Sequence, residues 1–252
     1  TNQEYYLEEC LKYSKILEED LISEKVKKVY KKHTKIKIAF LSSDLRVHSV
    51  SFFLKDLFLK IDKKTIETIA LSNLDKNKED SMSEALKNSI DQWHVIFDKS
   101  DTEVINLVKS LDIDILIDLN GLTEGNRVHV MKNRCAPIQI CWLGYNNSTG
   151  LKNMDYLIVD KNLINKNEEN LYSEKILYLP KIWNAFSRPE ELPLINYSTK
   201  KDSLLFSYGS FNNFAKISDD TIEVWSRIIN NSNSQIYLKN SQKEASLELK
   251  EN

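Results

Sequence analysis

The sequence predicts an α/β fold: a parallel sheet preceded by a helical segment and followed by the start of a second βαβ unit. Three observations carry this. Short β-rich runs alternate with amphipathic stretches of about ten residues, the pattern of βαβ units. Two runs, Ile113–Leu119 and Ile138–Leu143, are almost wholly apolar, as strands buried on both faces of a parallel sheet are. Each ends in polar, glycine-containing sequence, Asn120-Gly121-Leu122-Thr123 and Gly144–Gly150. Ligands of open parallel sheets bind outside the carboxyl ends of the strands, so these ends mark where a site belongs.

In order, residues 1–34 form a helical segment, with Tyr6, Cys10, Tyr13, Leu17 and Leu21 at three- and four-residue steps. Val26, Val29 and Tyr30 extend it as a further turn or a second helix. A first lobe covers 35–190. Its strands are Ile36–Leu41, Ile66–Leu71, Trp93–Phe97, Ile113–Leu119, Ile138–Leu143, Tyr156–Val159 and Ile176–Leu179. Its helices are Ser51–Ile61, Asp80–Ile90 with Ser81 or Ser83 as cap, Val104–Leu111 capped by Ser100 or Asp101, and a short helix over 127–132. Periodicity is lost over 181–202, which holds two of the four prolines, and a linker is expected at 191–202. A second lobe starts at 203: strand Ser203–Tyr208, loop, helix Ser218–Asn230 capped by Ser218, strand Gln235–Leu238, and a helix beginning at Ser241. Some 50 residues do not complete a nucleotide-binding lobe of about 100–150 residues, so 203–252 reads as an incomplete second lobe and the sequence as a fragment or truncated protein.

Composition narrows the function. With 41% hydrophobic and 29% charged residues and a net charge of −2, the chain is globular. It has no excess basic charge for nucleic acid or anionic membrane, and no apolar run near the length of a membrane span. Cys10, Cys135 and Cys141 are odd in number and unpaired in spacing, which argues against zinc or a disulfide scaffold and for reduced thiols in the cytoplasm.

Several polar residues stand at strand ends. His48 follows the first strand and precedes a helix, where an imidazole can take a proton from a hydroxyl near neutral pH. From position alone, a loop histidine bonded to backbone is the more ordinary reading. Asp44 and Asp118 order loops, bind a sugar hydroxyl or orient His48; Arg127 pairs with Asp118 or holds an anion. Lys216 lies just before a helix start, where lysine and free amides suit a diphosphate.

Together, IKIAFLSSDLRVHSVSFFL (36–54), DILIDLNGLTEGNR (114–127), APIQICWLGYNNSTGLKNMDYLIVD (136–160), YSEKILYLP (172–180) and YGSFNNFAKISDDTIEVW (208–225) resemble the O-linked N-acetylglucosamine transferase family, glycosyltransferase family 41, which includes the Spindly-type enzymes. The resemblance implies a GT-B fold of two Rossmann-like lobes with the active site in the cleft, and tetratricopeptide repeats upstream, with 1–34 as their end. It implies inverting transfer of N-acetylglucosamine from UDP-GlcNAc to Ser or Thr hydroxyls of proteins, with no metal or other cofactor and no nucleic acid or membrane partner. His48 matches the family's active-site histidine, which reverses the reading from position alone. Ser148, Thr149 and Gly150 match the donor-sugar loop, Lys216 the diphosphate lysine, and Asn213 a polar donor contact. Asp44, Asn120, Thr123 and Arg127 fall to acceptor binding or loop ordering. Departures at Ser49, Leu122 and Asn146-Asn147 leave room for a fucosyl or glucosyl donor, or for a truncated interaction module without turnover. With the second lobe incomplete, this piece alone is expected to be inactive.

Overall fold

β1 (Ile36–Ser42) is the strand from which the main sheet extends both ways. β2 (Ile66–Ser72) and β3 (Gln92–Val95) add on one side. β4 (Ile115–Asp118), β5 (Ile138–Cys141), β6 (Tyr156–Val159) and β7 (Lys175–Tyr178) add on the other. The order is β3-β2-β1-β4-β5-β6-β7, with every pairing parallel. The structure, a computed structural model, describes residues 2–19, 34–188, 205–212 and 214–239. The chain divides into two compact units, Thr1–Glu190 and Glu191–Asn252.

Alternation along the strands feeds two cores. Ala39, Leu41, Ile69, Leu71 and Leu116 join Val104, Ile105 and Val108 of α4 (Asp101–Ser110) and Val128, Val130 and Met131 of α5 (Val128–Met131). Leu17 of α1 (Gln3–Glu18) enters the same cluster. Phe40, Ala70, Ile117 and Ile140 join Val50, Leu54 and Phe58 of α2 (Ser49–Lys60) and Met82 and Leu86 of α3 (Ser81–Lys87). Layers on both faces account for the near-continuous apolar strands.

The helix starts follow local capping chemistry. Ser100 and Glu103 form the reciprocal box that starts α4. The cap of α3 is Asp80, not Ser81 or Ser83: its extended backbone turns the carboxylate onto the N–H groups of Met82 and Ser83, and Ser83 Oγ returns a contact to the Asp80 N–H. Residues 181–188 are aperiodic yet tied to the first unit. Trp142 Nε1 donates to the Trp183 carbonyl at 2.7 Å, and the Ser187 N–H to that of Phe52 at 2.7 Å. Irregular backbone is satisfied here by tertiary partners rather than by a helix or ladder.

The second unit holds β8 (Phe206–Ser210) and β9 (Ser234–Leu238), paired in parallel, with α6 (Asp219–Ser232) between them. Ser218 caps α6, as the sequence predicts. The expected turns over 21–30 and the helix from Ser241 lie outside the described residues.

Candidate functional site

The strand order reverses between β1 and β4: the chain builds β2 and β3 on one side of β1 and returns to place β4 on the other. Loops leaving the carboxyl ends of two such strands diverge, and an open α/β sheet has its ligand crevice there. The two loops are residues 43–48 and 119–127.

Asn120 ties them together. It is fully buried. Its Oδ1 accepts the Ser43 N–H at 2.9 Å, and its Nδ2 donates to Ser43 Oγ at 2.8 Å and Asp44 Oδ2 at 3.2 Å. Thr123 Oγ1 donates to the Asn120 carbonyl at 2.9 Å and closes the turn. Beneath it, Asp118 accepts the N–H of Asn120 at 3.0 Å and of Gly121 at 3.1 Å. Burial pushes the Asp118 carboxyl up to about 7, against the pull of those two N–H groups.

His48 is the N-cap of α2. Its Nδ1 accepts the Val50 N–H at 3.4 Å and lies 3.9 Å from Asp44 Oδ2, with the side chain 40% exposed. The ring is thus bonded to backbone at the carboxyl end of β1, with part of its surface exposed. The cap has a consequence for chemistry. A neutral imidazole that accepts at Nδ1 carries its proton on Nε2, so Nε2 donates. To accept a proton at Nε2, the ring must carry its hydrogen on Nδ1, the nitrogen beside Asp44.

Asp80 anchors the β1 loop from outside, accepting the Val47 N–H at 2.7 Å as well as capping α3. Burial works against its charge, but the N–H groups of Val47, Ser83 and Met82 outweigh burial and hold its carboxyl below the usual range. Arg127 does not pair with Asp118. Its guanidinium donates to Asp101 at 2.9 Å, Asn73 at 2.9 Å and the Ile96 and Phe97 carbonyls. The reason is that both Asp118 oxygens already serve backbone N–H groups in a fully buried turn. Arg127 orders the loop.

The loop after β5 packs against the loop after β4. A side chain on Gly144 would collide with the Leu119 carbonyl, and one on Gly121 with Tyr145. Ser148 and Thr149 are buried, and their hydroxyls are committed to Glu174, at 2.8 and 2.5 Å. Gly150, at φ +72°, sits beneath α1, with the Cys10 carbonyl 2.5 Å from where a Cβ would be. All three cysteines are buried and free; burial pushes Cys10 up to about 11 and Cys135 up to about 12, as for inert core thiols. In the second unit, Lys216 ends a 3₁₀ turn, Phe214–Lys216, is exposed, and precedes the Ser218 cap by two residues. Asn213 lies outside the described residues.

Glu174 and Asp80 carry no role in the sequence reading. For Glu174 the available signal was an acidic residue inside the 172–180 motif, at the start of a strand. Asp80 is read from sequence as the first residue of its helix, with the cap sought in Ser81 or Ser83. Among the described residues, no group of three or more His, Cys, Asp or Glu side chains is placed to hold a metal ion, and no helix is long and apolar enough to cross a membrane.

A doubly wound parallel sheet with interlocked loops at its switch point defines a Rossmann-like α/β lobe. Its family follows from sequence: glycosyl transferase family 41 matches residues 5–188, and the chain belongs to that family. A Hordeum vulgare relative named as a probable UDP-N-acetylglucosamine–peptide N-acetylglucosaminyltransferase SPINDLY is 30% identical over 196 residues, which is 76% of this chain and 21% of that protein. A Caenorhabditis elegans UDP-N-acetylglucosamine–peptide N-acetylglucosaminyltransferase is 28% identical over 147 residues, 58% of this chain and 13% of that protein. The chain thus spans about a fifth of the length of the SPINDLY relatives it matches. A mutant of the Thermobaculum terrenum O-GlcNAc transferase superposes with a TM-score of 0.87 at 24% identity, covering 98% of this chain and 48% of that one, and shows the same fold.

Proposed function

We propose that the intact protein is an inverting glycosyltransferase that moves N-acetylglucosamine from UDP-GlcNAc to Ser or Thr hydroxyls of proteins. The observation that carries this reading is the family match over 5–188 together with His48 at the tied loops of the switch point. The acceptor oxygen attacks the anomeric carbon as the bond to the UDP oxygen breaks. His48 positions the acceptor by donating from Nε2. It removes the hydroxyl proton, directly or through water, when the ring hydrogen moves to Nδ1 beside Asp44. The charge of the departing diphosphate is assigned to Lys216 and the first-turn amides of α6. No step requires a metal ion. The reaction takes place in the cytoplasm, where the thiols stay reduced.

A second reading keeps fold and mechanism and changes the sugar to fucose or glucose. It is favoured by Asn146-Asn147, Ser49 and Leu122, where the sequence departs from the pattern of the family it resembles. Incubating the intact protein with UDP-GlcNAc, GDP-fucose and UDP-glucose beside a protein acceptor separates the two. NMR of the product is expected to show a β-linked N-acetylglucosamine. A retained α-linkage sinks the inverting mechanism, and transfer from another donor alone selects the second reading.

A further inference from the structure

The loop over 145–150 is held from two directions by residues outside the switch point. From within, Glu174 is 4% exposed and accepts four hydrogen bonds: Ser148 Oγ at 2.8 Å, Thr149 N–H at 2.8 Å, Thr149 Oγ1 at 2.5 Å and Ser173 Oγ at 3.0 Å. From above, α1 lies on the same loop. Tyr6 Oη meets Tyr145 Oη and donates to the Ser148 carbonyl at 3.2 Å; Cys10 Sγ points to that carbonyl at 3.6 Å; Gln3 and Asn147 exchange amide contacts. At Gly150 no side chain fits below the Cys10 backbone. The loop is pressed in turn on the β4 exit through Gly144 and Gly121. A shift of the loop therefore moves the Leu119–Gly121 end of the crevice.

We propose that Glu174 and Tyr6 are positioning residues for donor binding, clamping the 145–150 loop between the start of β7 and α1. The proposal rests on the transferase reading above. It also makes α1 part of the site's support, so whatever displaces that helix loosens the donor side.

The test uses the intact protein with Glu174→Ala, Glu174→Gln and Tyr6→Phe. A core variant on the other face of the sheet, Leu86→Ala, serves as a control for lost stability away from α1 and the loop. Amide exchange over 145–151 reads the clamp, and donor KM against kcat reads its consequence. Exchange over the loop is expected to rise in Glu174→Ala and Tyr6→Phe and to stay low in the control. Donor KM is expected to rise about tenfold or more in Glu174→Ala and about threefold in Tyr6→Phe, the size of loss that loosened positioning produces. Glu174→Gln, which keeps an acceptor oxygen, should recover part of it. Unchanged exchange, or looser exchange with wild-type KM, or an equal KM change in Leu86→Ala, overturns the proposal. A wild-type protein that transfers no sugar overturns the transferase reading itself, and the positioning role with it.

Discussion

Two helices of this chain are written alike and buried differently. α4 begins at Ser100, carries acids in its first turn and buries Val104, Ile105 and Val108. α6 begins at Ser218, carries Asp219 and Asp220 in its first turn and presents Ile222, Trp225, Ile228 and Ile229 at helical spacing, yet none of its residues is buried. Caps and periodicity are local, and both helices have them. Burial depends on what lies beneath: among the described residues, a seven-stranded sheet in the first unit and two strands in the second. An apolar groove lined by Tyr208, Trp225, Ile228 and Ile236 runs between that small sheet and α6. Periodicity thus reports which face of a helix seeks a core, not how much core is there to meet it.

The contrast is sharpest for core truncation. Phe58 is fully buried against Phe40, with ring centroids 4.9 Å apart. Phe58→Ala is expected to cost about 3–5 kcal/mol in urea unfolding of the first unit. The next effect is smaller and tests how α1 docks. Gly150→Ala forces a positive φ on alanine and a Cβ into the Cys10 backbone, so a loss of about 2 kcal/mol and faster amide exchange in α1 are expected. An alanine there that leaves α1 protected means that the helix is not seated on this loop.

The third prediction concerns pH. Asp118 titrates at about 7 in the folded chain and at about 3.9 when unfolded. Between these values the folded state keeps a proton that the unfolded state has released. By linkage this group's contribution to stability falls as pH rises from about 4 to about 7, then levels off. Asp118→Asn should remove that decline from the pH profile of unfolding; an unchanged slope shows that another group sets it. The smallest effect is expected in the second unit. Ile228, 42% exposed, should cost less than about 1 kcal/mol on truncation to alanine. A loss rivalling that of Phe58→Ala removes the distinction between the two units.

Much of the fold was legible in the sequence for physical reasons. Parallel strands buried on both faces leave long apolar runs such as Ile113–Leu119, and caps such as Ser100 and Ser218 are set by side chains next to the helix they start. Errors gathered where two local chemistries compete. Asp80, Ser81 and Ser83 can all cap, and backbone conformation chose Asp80. The candidate site was less legible. Asp44, Asn120 and His48 were visible as polar residues at strand ends. That Asn120 joins both loops is a consequence of strand order, since β1 and β4 are adjacent only after the chain has built β2 and β3 elsewhere. Arg127 shows the same limit: its partner Asp101 opens α4, whereas Asp118, the nearer acid in sequence, is spent on the turn it initiates. Glu174 was hardest to read, because its partners Ser148 and Thr149 lie 25 or 26 residues away and meet it only across the sheet.

The transferase reading meets its most direct test in sugar transfer by the intact protein. Label from UDP-N-acetylglucosamine is followed onto a Ser- and Thr-containing protein acceptor, with wild type, His48→Ala and Lys216→Ala compared at saturating donor. Expected are transfer by the wild type and a loss in kcat of about 100-fold or more in each variant, the scale of removing a positioned proton acceptor or a charge stabiliser. Wild-type turnover in both variants, or no transfer from any nucleotide sugar by the wild type, would contradict it.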